Sequence, residues 1–221
     1  MLTAHVLDPG FAQRFWEFLD AGGYARWERA DGEPVRYRFQ DPTHAEYPAM
    51  LELLGRPLGE PPDGRIIGLM PVGEDLSDLS VILLDEDMLH VVVEQRQVLA
   101  GVSCLKPFGL ILLKARAYQD LLGRRQAGER VHSSDIRKHR NDVFRMAALL
   151  APGHDFTAPK STRSDLLRFL DEVEDDVETH PPILASLDGI PGGSMLERIH
   201  GLRELALGSR RVAPRNWRNG P

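Results

Sequence analysis

The 221 residues contain a single cysteine, Cys104, so no internal disulfide can form and no cage of thiolates can hold a metal ion. A lone thiol of this kind reads as a small buried apolar residue. Long apolar runs are missing as well. None approaches the roughly 20 residues that a membrane-spanning helix requires, so no membrane association is expected. Residues 1–13 lack a basic flank leading into an apolar stretch, so a secretory signal is not expected and a reducing, cytoplasmic location is. GxGxxG, Walker A, GxSxG and HExxH are all absent, which removes the sequence handles of dinucleotide, P-loop, hydrolase-elbow and zincin chemistry. His139 has no second histidine or cysteine at a metal-ligand spacing, so a zinc site is not expected.

What is present suits a globular protein. Hydrophobic residues make up 42% and charged residues 27%, enough apolar material for one main folding unit with a helical appendage. The formal net charge of −6 is unevenly spread. Residues 114–145 carry nine Lys/Arg against four Asp/Glu, whereas residues 165–178 carry seven acids against one arginine. The basic block reads either as a surface for phosphates or as the solvated side of two helices.

Periodicity gives the elements. Phe11, Phe15, Phe18 and Leu19 recur at helical spacing and Gly22-Gly23 supplies a stop, which predicts a helix over 11–21. Residues 36–39 alternate like a strand, Asp41-Pro42 marks a turn, and 47–54 reads as a second strand, so a hairpin is expected. Residues 56–63, with three prolines, read as a surface loop, and 80–84 as either a short strand or a helix end. The runs 89–93 and 97–102, separated by Glu94-Gln95-Arg96, suggest another hairpin. From Pro107 the pattern turns helical, with Leu110, Leu113, Ala117 and Leu121 as one stripe. Ser133 or Ser134 is a candidate cap for a second helix with the stripe Ile136, Val143, Ala147 and Leu150, stopped by Ala151-Pro152-Gly153. Thr162, three residues before Asp165, resembles a capping-box start for a third helix reaching about Val177. The expected fold class is α/β (α+β): a small mixed sheet with flanking helices over 1–106, a helical region over 107–180, and a tail over 181–221 that is partly disordered.

Three places could carry chemistry. Lys114 lies on the first of these helices, with Tyr118 one turn on and Arg124 and Arg125 beyond. A lysine suits a triphosphate as a compact, flexible point charge, and it equally suits a solvated flank of the stripe. Asp135, Lys138, Asp142 and Arg145 share one helix face, ordered in sign, which is also the pattern of ordinary surface ion pairs. Glu52 sits in Met50-Leu51-Glu52-Leu53-Leu54, where a strand would project it opposite its neighbours.

Taken in order, Phe15-Trp16-Glu17-Phe18, Gly22-Gly23-Tyr24, Tyr37-Arg38-Phe39, Met50-Leu51-Glu52-Leu53, Asp78 to Asp85, Leu113-Lys114-Ala115-Arg116-Ala117-Tyr118 and Asp135 to Arg145 resemble a bacterial family of nucleotidyltransferases related to the AbiEii toxins. The resemblance covers about residues 6–150 and is most specific between Lys114 and Arg145. It implies a polymerase-β type nucleotidyltransferase fold and transfer of a nucleotidyl group from a Mg-bound nucleoside triphosphate to an RNA or protein acceptor, with an antitoxin protein as a further partner. On this resemblance Lys114, with Arg124 and Arg125, is the nucleotide-binding candidate. Lys138-His139-x-x-Asp142 matches a family Arg/Lys-Asp-x-x-Asp motif, with Lys138 and Asp142 as catalytic candidates and Asp142 placed to hydrogen-bond Lys114. Glu52 is the candidate Mg ligand. His139 stands where the family has an acid. Relatives also carry a Gly-Gly or Gly-Ser turn and an Asp-x-Asp pair upstream of the region matched by Val6-Leu7-Asp8. That segment would precede Met1, so the alternative expectation is a non-catalytic remnant that binds nucleotide, RNA or antitoxin.

Overall fold

Helix α1 (Pro9–Gly22) exists because its apolar side chains fall on one stripe that a sheet can cover. Ala12, Phe15 and Leu19 are buried with Tyr24, Phe39, Leu51 and Leu53 in one cluster, and Phe11, Trp16 and Tyr47 pack against it. The helix stops as its glycines predict. Gly23 takes φ +61°, its N–H reaches Asp20 O, and the Tyr24 N–H reaches Leu19 O at 3.2 Å.

The computed structural model describes residues 2–4, 9–28, 34–55, 67–70, 79–150, 157–190 and 192–208. The chain is a mixed α/β protein rich in helix and divides into two units, Met1–Leu89 and His90–Pro221. The expected loop over 56–63, Asp8, the stop at 151–153 and the basic end from residue 209 lie outside the described residues.

In the first unit, strands β2 (Ala25–Glu28), β3 (Pro34–Gln40), β4 (Met50–Gly55), β5 (Ile67–Met70) and β6 (Leu79–Leu83) line up in the order β2-β3-β4-β6-β5, and β1 (Leu2–Ala4) pairs with β4. The sheet is mixed: β1 and β6 run parallel to β4, and β3 runs antiparallel to it. Strand β4 shows why the pattern works. Leu51 and Leu53 alternate inward to the α1 cluster, and Glu52 points to the other face. The expected hairpin of 36–39 and 47–54 forms, but β4 begins only at Met50. The Tyr47 N–H is spent on a turn to His44 O, and Pro48 has no N–H to offer a ladder. Residues 79–83 settle as a strand.

The run 89–93 is a correction. It is part of helix α2 (Glu86–Glu94), whose start is capped by Asp85 Oδ1 accepting the Met88 N–H at 2.8 Å. Met88, Leu89, Val91 and Val92 are buried at helical spacing; the valines argue for a strand, but the cap and the burial stripe decide. The hairpin lies one step later, between β7 (Arg96–Leu99) and β8 (Val102–Leu105), with the two-residue loop Ala100-Gly101 at φ +49° and +80°.

The second unit continues with helices α3 (Pro107–Gln126), α4 (Ser133–Ala147), α5 (Lys160–Asp175), a 3-10 turn (Val177–Thr179), α6 (His180–Ala185) and α7 (Met195–Leu207). Three expectations need correcting. The fully buried face of α3 is Phe108, Ile111, Leu112, Ala115 and Tyr118, with Leu110, Leu113, Ala117 and Leu121 only partly buried; the first half of α3 is apolar on most sides, so composition does not choose the stripe. Neither Ser133 nor Ser134 caps α4, since His132 holds that position without a side-chain bond. Helix α5 starts two residues before Thr162, whose hydroxyl donates to Pro159 O at 2.9 Å, and Asp165 is turned inward instead of capping.

The core of this unit is built on Phe169, whose ring meets Tyr118 edge-on at 5.1 Å and Phe144 at 5.9 Å. Of the segment expected as a tail, residues 181–208 carry α6 and α7. The two prolines there sit in the first turn of α6, where a missing N–H costs nothing. Helix α7 begins with a reciprocal box in which Ser194 and Glu197 satisfy each other's N–H groups and ends at Gly208 with φ +68°. Arg203 holds α7 to α5 through Asp171 and Glu174.

Candidate functional site

Two antiparallel neighbours joined by a short loop bring the middle of α3 against the middle of α4. There Lys114 Nζ lies 3.2 Å from Asp142 Oδ2, and the second carboxylate oxygen of Asp142 accepts from Arg145 Nη1 at 3.0 Å. Both oxygens of one acid are thus taken by two cations. Arg145 is itself placed by Nε donating to Ser186 O at 3.4 Å. The carboxylate is more enclosed than its partners, with 18% of its side chain exposed against 27% for Lys114 and 39% for Arg145. The cations therefore keep open faces while the acid anchors them.

His139, one turn before Asp142, is half-buried, and its Nδ1 is enclosed with no hydrogen-bond partner. Burial, then the positive charges of Lys114 and Lys138, push its pKa down to about 4, against the pull of Asp142 and Asp135. At neutral pH the ring is uncharged. It therefore brings no positive charge to the cluster.

The other candidates of the helical unit take no part in this contact. Lys138 is exposed on α4, one turn from Asp142. Arg124 donates from Nε to Glu129 at 2.8 Å, and Arg125 is exposed; both lie about 15 Å along α3 from Lys114 at 1.5 Å per residue. Tyr118 belongs to the core, and its hydroxyl pKa is raised by burial first and Glu172 second. In the first unit, Glu52 faces Arg38 across the ladder, and its Oε1 accepts from Arg38 Nε at 2.8 Å and lies 2.7 Å from Nη2. That is an ordinary cross-strand ion pair.

Among the described residues the donor set does not fit a bound divalent pair. Among the described residues no three His, Cys, Asp or Glu side chains converge, Glu52 is engaged by Arg38 and Asp142 by two cations, and a hard ion of this kind needs several oxygens at once.

The Asp142–Arg145 contact is one of the surface ion pairs that the shared helix face predicts, and one contact that fixes the site is not reached by sequence reasoning. Spacing makes Asp165 part of a cap, whereas its Oδ2 lies 2.6 Å from Arg116 Nη1 and ties α5 to α3 two residues beyond Lys114. Its place inside the apolar face of α5, one residue before Leu166 and four before Phe169, is the signal that it points inward. Among the described residues no helix is long and apolar enough to cross a membrane. Comparison with family models, curated proteins and solved structures finds no match to this chain.

Proposed function

We propose that the helical unit binds the phosphates of a nucleoside triphosphate through Lys114, within a protein of AbiEii-like nucleotidyltransferase descent. The reaction proposed with it is transfer of a nucleotidyl group from a nucleoside triphosphate to an RNA or protein acceptor. The acceptor oxygen forms a bond to the α-phosphorus, the bond to the β-phosphate oxygen breaks, and pyrophosphate leaves. The observation that carries this reading is the contact between Lys114 and Asp142, which joins the two segments where the resemblance is most specific. An ammonium has three protons; Asp142 takes one, and two remain for phosphate oxygens. Asp142, itself fixed by Arg145, holds the lysine in place, so less side-chain entropy is left to lose on binding.

A second reading, a non-catalytic module that binds nucleotide, RNA or an antitoxin protein, is favoured by one feature: the carboxylates of Glu52 and Asp142 are spent on arginine and lysine. Binding and transfer separate the two. Titration with a fluorescent ATP analogue in Mg buffer should give saturable binding, and Lys114→Met should weaken it about 10- to 100-fold, the loss of a charge-assisted hydrogen bond of about 1.5–3 kcal/mol. Labelled nucleoside triphosphates incubated with total RNA should label RNA if transfer occurs. Binding without labelling selects the second reading, and equal affinity of the wild type and Lys114→Met sinks both as assigned to this lysine.

A further inference from the structure

Unit one carries a partly exposed aromatic surface at the end of α1. Phe18 remains 41% exposed on α1 although its neighbours Phe15 and Leu19 are buried. Its ring lies 4.9 Å from Tyr47 at 53° and 6.3 Å from Tyr24 at 30°, and the two tyrosines meet edge-on at 6.3 Å. The platform is held firmly from behind. Tyr24 donates its hydroxyl to Pro48 O at 2.6 Å, and the Thr43 N–H bonds Gly22 O at 3.0 Å. At Gly22 a Cβ would stand 2.6 Å from the Tyr47 ring. Glycine is what lets the loop carrying Tyr47 close onto the end of α1.

The sequence that builds this platform is acidic. The two segments that build the platform, 17–24 and 41–48, contain four acids, Glu17, Asp20, Asp41 and Glu46, and no lysine or arginine. All four are exposed. Glu17 and Asp41 accept from the neutral amides of Gln13 and Gln40. Arg14, one turn before Phe18, is the cation next along α1. Exposed ring faces carry a negative quadrupole and favour a cation laid over them, and a guanidinium, being planar and weakly hydrated, suits a ring better than an ammonium does.

From this juxtaposition we infer that the Phe18–Tyr47 face is a docking surface for an arginine-rich peptide segment, with one guanidinium stacked on Phe18 and others facing Glu17, Asp41 and Glu46. A sequence of the required chemistry exists in the chain itself: residues 209–221 hold four arginines and a tryptophan and no acid. That sequence supplies the probe.

The test is fluorescence anisotropy of a labelled peptide of residues 209–221 titrated with the full chain, alongside peptides with all four arginines changed to lysine or to glutamine. The arginine peptide should bind most tightly, the lysine peptide at least threefold more weakly, and the glutamine peptide not measurably. Phe18→Ala should lower affinity about tenfold and Phe18→Tyr should restore it, which separates loss of the ring face from loss of the fold. Glu46→Gln should weaken binding and flatten its dependence on salt. Equal affinity of the wild type and Phe18→Ala for the arginine peptide would overturn the proposal, since the cations would then be held by another acidic face such as that of α5. No binding either by the wild type or by a full chain whose own Arg210, Arg211, Arg215 and Arg218 are changed to glutamine, so that they cannot compete with the probe, would overturn it too.

Discussion

The uncharged state of His139 makes a quantitative prediction about stability. In an unfolded chain the ring titrates near 6.5; in the folded protein its pKa is pushed down to about 4 by burial and by Lys114 and Lys138. Between these values the unfolded state binds more protons than the folded one, so stability rises with pH across the window and is lost as pH falls from about 6.5 towards 4. A shift of this size corresponds to about 3 kcal/mol at most, at about 1.4 kcal/mol per unit. The ring is only half-buried, so solvent screening reduces the expected effect to about 1–2 kcal/mol. The charges facing the ring are those of Lys114 on α3 and of Asp135, Lys138 and Asp142 on α4, and the acids oppose the shift. The perturbation is His139→Leu, which removes the titration together with the unpartnered Nδ1. Urea unfolding at intervals from pH 4.5 to 7.5 should show the wild type losing about 1–2 kcal/mol relative to the variant towards the acid end. At pH 7 the two should be nearly equal, because an apolar side chain in place of an unsatisfied polar one costs little. The imidazole proton shifts, followed by NMR, should move below pH 5. A midpoint near 6.5, or parallel stability curves for wild type and variant, would refute the placement of His139 beside two lysines.

Two further substitutions test the frame around the sites. Gly23→Ala must place a Cβ at φ +61° and 2.1 Å from Thr43 Oγ1, so urea denaturation should show a loss of about 2–3 kcal/mol, of which about 1–2 is the left-handed backbone. Adding Thr43→Ala should relieve the clash and leave the backbone part, and no recovery would count against the close approach of the loop to α1. Asp165→Ala removes the Arg116 contact from a side chain that is 10% exposed, while the arginine is 46% exposed. The freed guanidinium can turn to water, so the loss should be about 1–2 kcal/mol in thermal or urea unfolding and not the 3–5 of a fully buried pair; a loss at the upper end would mean that Arg116 is trapped.

How far the sequence reveals the fold varies with how local the cause is. Helix α1, its glycine stop and the β3–β4 hairpin are legible because each is fixed by spacing and turn chemistry within a dozen residues. The length of β4 is overstated by its sequence because Tyr47 looks like a strand former, whereas its amide is used in a turn to His44, Pro48 has no N–H for the ladder, and the Tyr47 ring packs against Phe18 and Tyr24. Helix α2 is hidden because three successive valines outweigh Asp85, Glu86 and Asp87, although those acids are the cap and first turn. In both cases burial against a partner decides what propensity leaves open.

The site is legible in its parts and less so in its assembly. Lys114 and Asp142 each stand out by residue type and position, and a helical hairpin turning near residue 128 brings a position before the loop opposite one after it. The meeting of Lys114 with Asp142 in particular comes from the resemblance and not from spacing, since a loop over 127–132 puts 114 only opposite the general region of 142–145. What spacing cannot supply is direction around the helix: α3 has apolar residues on most sides, so its buried face, and with it the exposure of Lys114, depends on where Phe169 of α5 lands. The same limit explains Asp165, whose charge suggests solvent while its neighbours Leu166 and Phe169 require the core. Polar residues on an inward face therefore carry more information than their type suggests. Here Asp165 marks the seam between α3 and α5, and Asp142 the seam between α3 and α4, with Lys114 and Arg116 as the cations each one holds. Because these cations belong to one helix, two residues apart, and are held from different neighbours, α3 cannot rotate without breaking one of the two pairs. That constraint is what would keep Lys114 presented to a phosphate.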